Sequence, residues 1–251
     1  MKSGKILSRN LLNMLFCSAI SLPFVTPAVA HAEFGQVPEA HFPNLPGKAS
    51  TPEGFLTSGL KIEKLAKGDL NADTLPDLAM IIRMDDPGNL LRDPEEPERE
   101  PLDTNPRMIA VAVAEKSGGY VLDMVNMSMI PRVEDPYIND PLVDLTIEKG
   151  AIRLKLEQSS NAGSWGSANM TFVFRKRAEG IALVGFDRMD VNRASGELTE
   201  TSVNFLTGQQ QTSTGNISSD KKVTKMKLLP RRTLTTLGFM GDAFSFDPLN
   251  P

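Results

Sequence analysis

The sequence predicts a mainly β protein, an antiparallel meander forming a sandwich or an open barrel, with few or no helices after the N-terminal segment. Two observations carry this expectation. Short runs of strand character recur along the chain, at Leu78 to Met84, Met108 to Ala114, Tyr120 to Val125, Leu142 to Glu148, Ala151 to Glu157, Met170 to Arg177, Ile181 to Met189, Leu198 to Phe205 and Val223 to Leu228, and no segment sustains a long helical period. Several of these runs are joined by short glycine-bearing connectors, Ser117-Gly118-Gly119, Glu148-Lys149-Gly150 and Ala178-Glu179-Gly180, which suit tight hairpins between antiparallel strands.

Residues 1–32 have the layout of a cleavable signal peptide. Lys2, Lys5 and Arg9 form a basic start, an apolar run extends from Leu11 to Ala30, and Ala28-Val29-Ala30 and Ala30-His31-Ala32 offer small-x-small cleavage sites. The alternative is an uncleaved membrane anchor. Pro23 and Pro27 and the small residues suit processing better than a span of about 20 apolar residues. Arg9 is followed by Asn10, so the twin-arginine pair is missing and general secretion is the expected route. Cys17, preceded by the bulky Phe16, is a poor lipid-attachment site. The mature chain is expected in the periplasm or outside the cell, without a transmembrane span.

Cleavage after Ala32 removes three of the 27 basic residues and none of the 31 acidic ones, which leaves 24 against 31 and a net charge of −7. Nucleic acid is an unfavourable partner for such a chain. Cleavage also removes the one cysteine, so disulfides, thiolate metal sites and a cysteine nucleophile drop out. One histidine remains, His41, in a proline-rich stretch, and a Ser-His-Asp triad or a histidine-rich zinc site would depend on it alone.

Residues 33–59, with Pro38, Pro43, Pro46 and Pro52, read as an extended lead-in, mobile or laid over the surface. Residues 60–251 read as a single β-rich domain, large enough to bury a core without staples. Alternation is clearest where Ile152, Leu154 and Leu156 are interleaved with Arg153, Lys155 and Glu157, the pattern of a half-buried strand. Two long connections are expected. An acidic loop at 85–106 holds eight acidic residues between Asp85 and Asp103, with Pro87, Pro94, Pro97 and Pro101. A polar loop at 209–219 has little structure by composition. The six basic residues between Lys221 and Arg232 read as a charged outer strand face in preference to a site for an anionic partner.

One segment carries metal chemistry. Asp69, Asn71, Asp73 and Asp77 place oxygen side chains at positions 1, 3, 5 and 9 of a tight loop, and the Leu75 carbonyl falls at position 7. Calcium takes six to eight oxygens at about 2.3–2.6 Å, and such a loop supplies most of that shell. Crowded carboxylates also gain from a cation that relieves their repulsion. Position 6, where glycine usually makes the turn, is the β-branched Thr74. Position 12 is Met80, so an EF-hand is excluded. The metal-free reading of the cluster is a series of Asx turns.

The loop resembles the D-x-N-x-D-G-x-x-D-L segment of FG-GAP repeats, the blades of integrin-type propellers. The likeness covers about a dozen residues, and no second copy follows, so a propeller is not implied. Over residues 63–228 the chain is similar to uncharacterised exported bacterial proteins with one such loop and a β-rich body. The corresponding motifs here are Pro106-Arg107, Gly119-Tyr120, Gly163-Ser164-Trp165-Gly166, Phe172 to Gly185 and Asn204-Phe205-Leu206-Thr207-Gly208. That resemblance implies a compartment and a fold and brings no activity with it. The Gly163 to Gly166 motif reads as a structural turn around a core tryptophan, since it lacks the lysine of a P-loop and the spacing of a dinucleotide fingerprint.

The leading expectation is an exported, non-enzymatic protein acting by protein or envelope contact, with Ca2+ held by Asp69, Asn71, Asp73, Leu75 and Asp77. Two alternatives accompany it. One is a carbohydrate-active hydrolase using paired carboxylates, and the other is an inhibitor or immunity protein for an envelope toxin. No feature of the sequence sets an oligomeric state.

Overall fold

The computed structural model describes residues 35–249, and the expected signal peptide lies outside the described residues. The fold of the described residues is mainly β, as expected, with two large antiparallel sheets, a small two-stranded pair and only short 3-10 turns in place of helices. No helix among the described residues is long and apolar enough to cross a membrane.

The first sheet has five strands in the order β1-β7-β6-β3-β2. These are β1 (Lys48–Ala49), β2 (Leu60–Gly68), β3 (Asp77–Met84), β6 (Arg107–Ala114) and β7 (Tyr120–Asn126). β3 and β6 are central, and their unbroken apolar runs are explained by burial on both faces. On one face Ala79, Ile81, Ile109 and Val111 join the main core. On the other, Leu78, Met80, Ile82, Met108 and Ala110 are covered by Phe42, Leu45, Phe55 and Leu56. The lead-in is thus laid over the sheet. It is pinned there by Arg132, which donates to the Pro38 carbonyl at 2.6 Å and to the Asn89 side chain at 3.0 Å, and also bonds the Thr104 carbonyl.

The acidic loop contains a short 3-10 turn and a small two-stranded pair, β4 (Leu90–Leu91) and β5 (Leu102–Asp103). Buried Asn89, Thr104 and Asn105 close its base. Its acidic tip stays exposed.

The second sheet is a seven-stranded meander in chain order, curled like half a barrel. Its strands are β8 (Leu142–Glu148), β9 (Ala151–Gln158), β10 (Gly166–Arg177), β11 (Gly180–Asn192), β12 (Glu197–Asn204), β13 (Gln209–Asn216) and β14 (Ser219–Leu228). The β8–β9 hairpin turns through Lys149 at φ 51° and Gly150 at φ 71°, the left-handed pair that a two-residue turn needs. The expected polar loop at 209–219 is corrected here: residues 209–216 are strand β13, paired along its length with β12 and β14. Its polar side chains are tolerated because only Ser213 is buried on it, and the ladder satisfies the backbone. β14 is the outer edge, exposed along all ten residues, and its lysines blunt an edge that would otherwise recruit another strand.

The two sheets share one core. Ile152, Leu154, Leu156, Met170, Phe172, Phe174 and Phe186 of the meander meet the first sheet's inner face. Phe172 and Phe186 pack with Phe246 of the C-terminal segment at ring-centroid distances of 4.9–5.3 Å. Asn126 fastens that segment: buried, it donates to the Leu237 and Met240 carbonyls, both at 2.7 Å, and accepts from the amides of Ser128 and Met129.

Candidate functional site

The loop between β2 and β3 gathers most of the residues that the sequence singles out. The carboxylate of Asp69 is its hub. Oδ1 accepts from the amides of Asn71, Ala72 and Asp73 at 3.2, 2.7 and 3.3 Å, and Oδ2 accepts from Thr74 at 2.9 Å. These bonds, the one from Thr74 foremost, hold the Asp69 carboxyl below its ordinary pKa against the opposing effect of desolvation. Asn71 and Asp73 interlock, with the Asp73 amide donating to Asn71 Oδ1 and Asn71 Nδ2 donating to Asp73 Oδ2, each at 3.0 Å. Asp73 Oδ1 accepts from the Leu75 amide at 2.8 Å.

Asp77 has a different neighbourhood. It is fully buried at the start of β3, and its two oxygens accept from the Leu70 amide at 2.8 Å and from the Ala114 amide at 2.9 Å. It closes the loop on one side and holds the end of β6 on the other. The structure therefore brings Asp69, Asn71 and Asp73 together, while Asp77 braces the loop from beneath. Among the described residues no three His, Cys, Asp or Glu side chains converge as a ready ligand set. The donor chemistry nevertheless suits a hard cation, because the oxygens that accept one backbone N–H each keep a lone pair.

Thr74 adopts φ 71°, and Ala72 φ 63°. Position 6 thus has the left-handed backbone that glycine would supply, and a β-branched residue bears the strain, on the order of 1–2 kcal/mol. Replacing Thr74 with glycine should relieve it. Part of the gain is offset by the greater freedom of an unfolded glycine, so a net stabilisation of about 0.5–1 kcal/mol is expected, or a Tm rise of about 2 °C by calorimetry. A fall in Tm would show that the threonine side chain contributes more than the strain costs.

The second feature is a groove of about 680 Å3 at one end of the meander. Along β10 and β11 the core face runs Phe172, Met170, Ala168, Gly166 and, opposite, Phe186, Arg188, Asp190, Asn192. Large apolar side chains give way to small ones on β10 and to charged and polar ones on β11, so the core ends and a concavity begins. Arg188 clamps Asp190, with Nε 2.9 Å from both carboxylate oxygens and Nη2 2.8 Å from one. The walls come from the segment around Asp135 and Tyr137 and from the loop at 159–166. Arg193 fixes that loop by donating to the Ser160 and Ser164 carbonyls at 2.8 Å.

Trp165 sits in the same loop between Ser164 and Gly166, does not itself line the groove, and is 68 % exposed, which corrects the expectation of a core tryptophan. The motif around it is a turn, as expected: Gly163 takes φ 76°, and Ser164 Oγ accepts from the Gly166 amide. Its side chain is not needed to fill the core, because the phenylalanine cluster does so. His41 is exposed in the lead-in, 3.8 Å from the Glu39 carboxylate. The sequence alone does not reveal the groove. Its signal, the change from Phe172 and Phe186 to Ala168 and Arg188 on one strand face, becomes readable once the β10–β11 register is known.

No family model, no curated protein and no solved structure matches this chain.

Proposed function

We propose that the protein is exported to the periplasm or the cell exterior, acts there by binding a protein or envelope component without catalysis, and holds Ca2+ in the β2–β3 loop. The observation that carries the binding reading is the state of the carboxylates in the groove. Asp190 is clamped by Arg188 through both oxygens, and Asp135 Oδ1 accepts from the Tyr137 amide at 2.8 Å. A hydrolase of paired-carboxylate type needs one carboxyl free to donate a proton and a second free to attack or to activate water. Asp190, held on both oxygens by a guanidinium, is poorly placed to donate a proton, and the groove lining holds one other carboxylate, Asp135.

The calcium reading is supported by the oxygen side chains of Asp69, Asn71 and Asp73, which the loop brings together, with the Leu75 carbonyl and Asp77 as the further donors the spacing offers, and by the left-handed turn at Thr74 that keeps the likeness to FG-GAP loops. Its place in the fold gives it a purpose. The loop joins two neighbouring strands of the first sheet and is tied to a third through Asp77, so a cation there would tighten that end of the sheet.

Calcium at about a hundred times its Kd should add about 2.7 kcal/mol, a Tm increase of roughly 5–10 °C over chelator-treated protein. Asp73→Ala should abolish the difference. An unchanged Tm in the native protein would retire the metal. Turnover of peptidoglycan, polysaccharide or ester substrates, abolished by a single carboxylate substitution, would overturn the non-enzymatic reading.

A further inference from the structure

We infer that the groove at the end of β10 and β11 is a binding site for a short, neutral oligosaccharide. The inference deepens the reading of the protein as a binding module and rests on it, and it is independent of the calcium loop.

Size and lining come first. At about 680 Å3 the groove lies in the range of about 300–1,000 Å3 typical of small-molecule sites. One wall carries the ring of Tyr137, 52 % exposed beside Ile138, and Phe244 contributes a second aromatic side chain to the lining. An exposed aromatic ring in a concave wall offers a flat apolar face that the C–H side of a pyranose covers well. The phenolic hydroxyl remains free to bond a sugar hydroxyl.

Polar equipment follows. Pyranose hydroxyls are read by planar groups that donate and accept in one plane. The groove has Gln158 at its edge, the Arg188–Asp190 pair in its floor, and Asn192, whose Oδ1 already accepts from the Ala194 and Ser195 amides and which therefore offers its NH2 as a donor. The pair is already matched internally, so it presents a fixed, nearly neutral array instead of a free charge.

Charge selects the ligand class. Lining charges are Asp135, Asp190 and Arg188, one cation against two carboxylates, which disfavours phosphates, sulfates and acidic sugars. A neutral ligand rich in hydroxyls and with one apolar face fits what remains. Small residues Ala162, Gly163, Gly166 and Ala168 keep the floor and wall low enough for such a ligand to lie along the strands.

The test is isothermal titration of the protein with three neutral trisaccharides, maltotriose, cellotriose and triacetylchitotriose. The emission of Trp165, the chain's single tryptophan, carried by the loop that walls the groove between its lining residues Ser164 and Gly166, is followed in parallel. At least one trisaccharide should bind with submillimolar Kd. Tyr137→Ala and Gln158→Ala, both at exposed positions where the fold is insensitive, should each weaken that binding tenfold or more. No binding of any of the three at millimolar concentration overturns the inference, as does binding that neither substitution alters. Release of shorter sugars during the titration would uphold the groove as a sugar site and overturn the non-enzymatic reading.

Discussion

Replacing Arg107 with methionine should destabilise the protein by about 3 kcal/mol in urea unfolding, near the lower end of the ~3–5 kcal/mol expected for breaking a buried ion pair. The side chain is only 2 % exposed and joins three segments. Nε and Nη2 grip Glu63 at 2.5 and 2.8 Å, and Nη2 also reaches Asp140 at 2.5 Å. Burial opposes the charge, but the bonds to Glu63 and Asp140 outweigh it and raise the guanidinium's pKa above its ordinary value. Removing the arginine would leave Glu63, itself 24 % exposed, with only Arg83 at 3.5 Å. Asp140, half exposed, can turn to water, which is why the lower end of the range applies. Adding Glu63→Leu to the Arg107→Met variant should recover part of the loss, since no charge is then stranded. A cost below about 1 kcal/mol for Arg107→Met would show that the cluster is no brace.

The same cluster explains why β2 is hard to read from sequence. Its residues, Leu60 to Gly68, are lysine-rich, and their alternation breaks at Glu63, which is the extra residue of a bulge between Ile62 and Lys64. The bulge aims Glu63 at Arg107 and Arg83 and removes the period of two on which a strand assignment depends. β13 is hidden for another reason. It carries glutamine, threonine and serine on both faces, and it is a strand because β12 and β14 flank it. Neighbours impose its conformation, with no contribution from its own apolar pattern. Strands with an apolar face, such as β8, β9 and β11, are legible because burial writes the alternation into them.

Site legibility divides along the same line. The calcium-type loop is local, and Asp69, Asn71 and Asp73 meet because they are two residues apart in a tight turn. The groove is assembled from β9, β10, β11, two loops and the C-terminal segment, and its residues are up to about a hundred positions apart, from Asp135 to Phe244. Trp165 shows the difference. A lone tryptophan in a glycine-rich turn reads as core by composition, yet four phenylalanines already fill the space behind the sheet.

Asp77→Ala should cost about 3 kcal/mol and is the substitution that separates bracing from ligation. Each hydrogen bond to a charged acceptor contributes about 1.5–3 kcal/mol, and the Leu70 amide would be left without its partner at a buried position. Asp77→Asn should lose nearly as much: one amide oxygen can replace one carboxylate oxygen, but the side-chain NH2 then faces a backbone donor. If Asp77 serves only as a brace, the asparagine variant will be less stable and will still gain in Tm from calcium by the native increment. If it also ligates the ion, both the baseline and the increment will fall. A variant as stable as the native protein would contradict the bracing role, because the carboxylate's two bonds are what fix the loop to β6. The loop and the first sheet would then be coupled through packing alone, and calcium would have no lever on the fold.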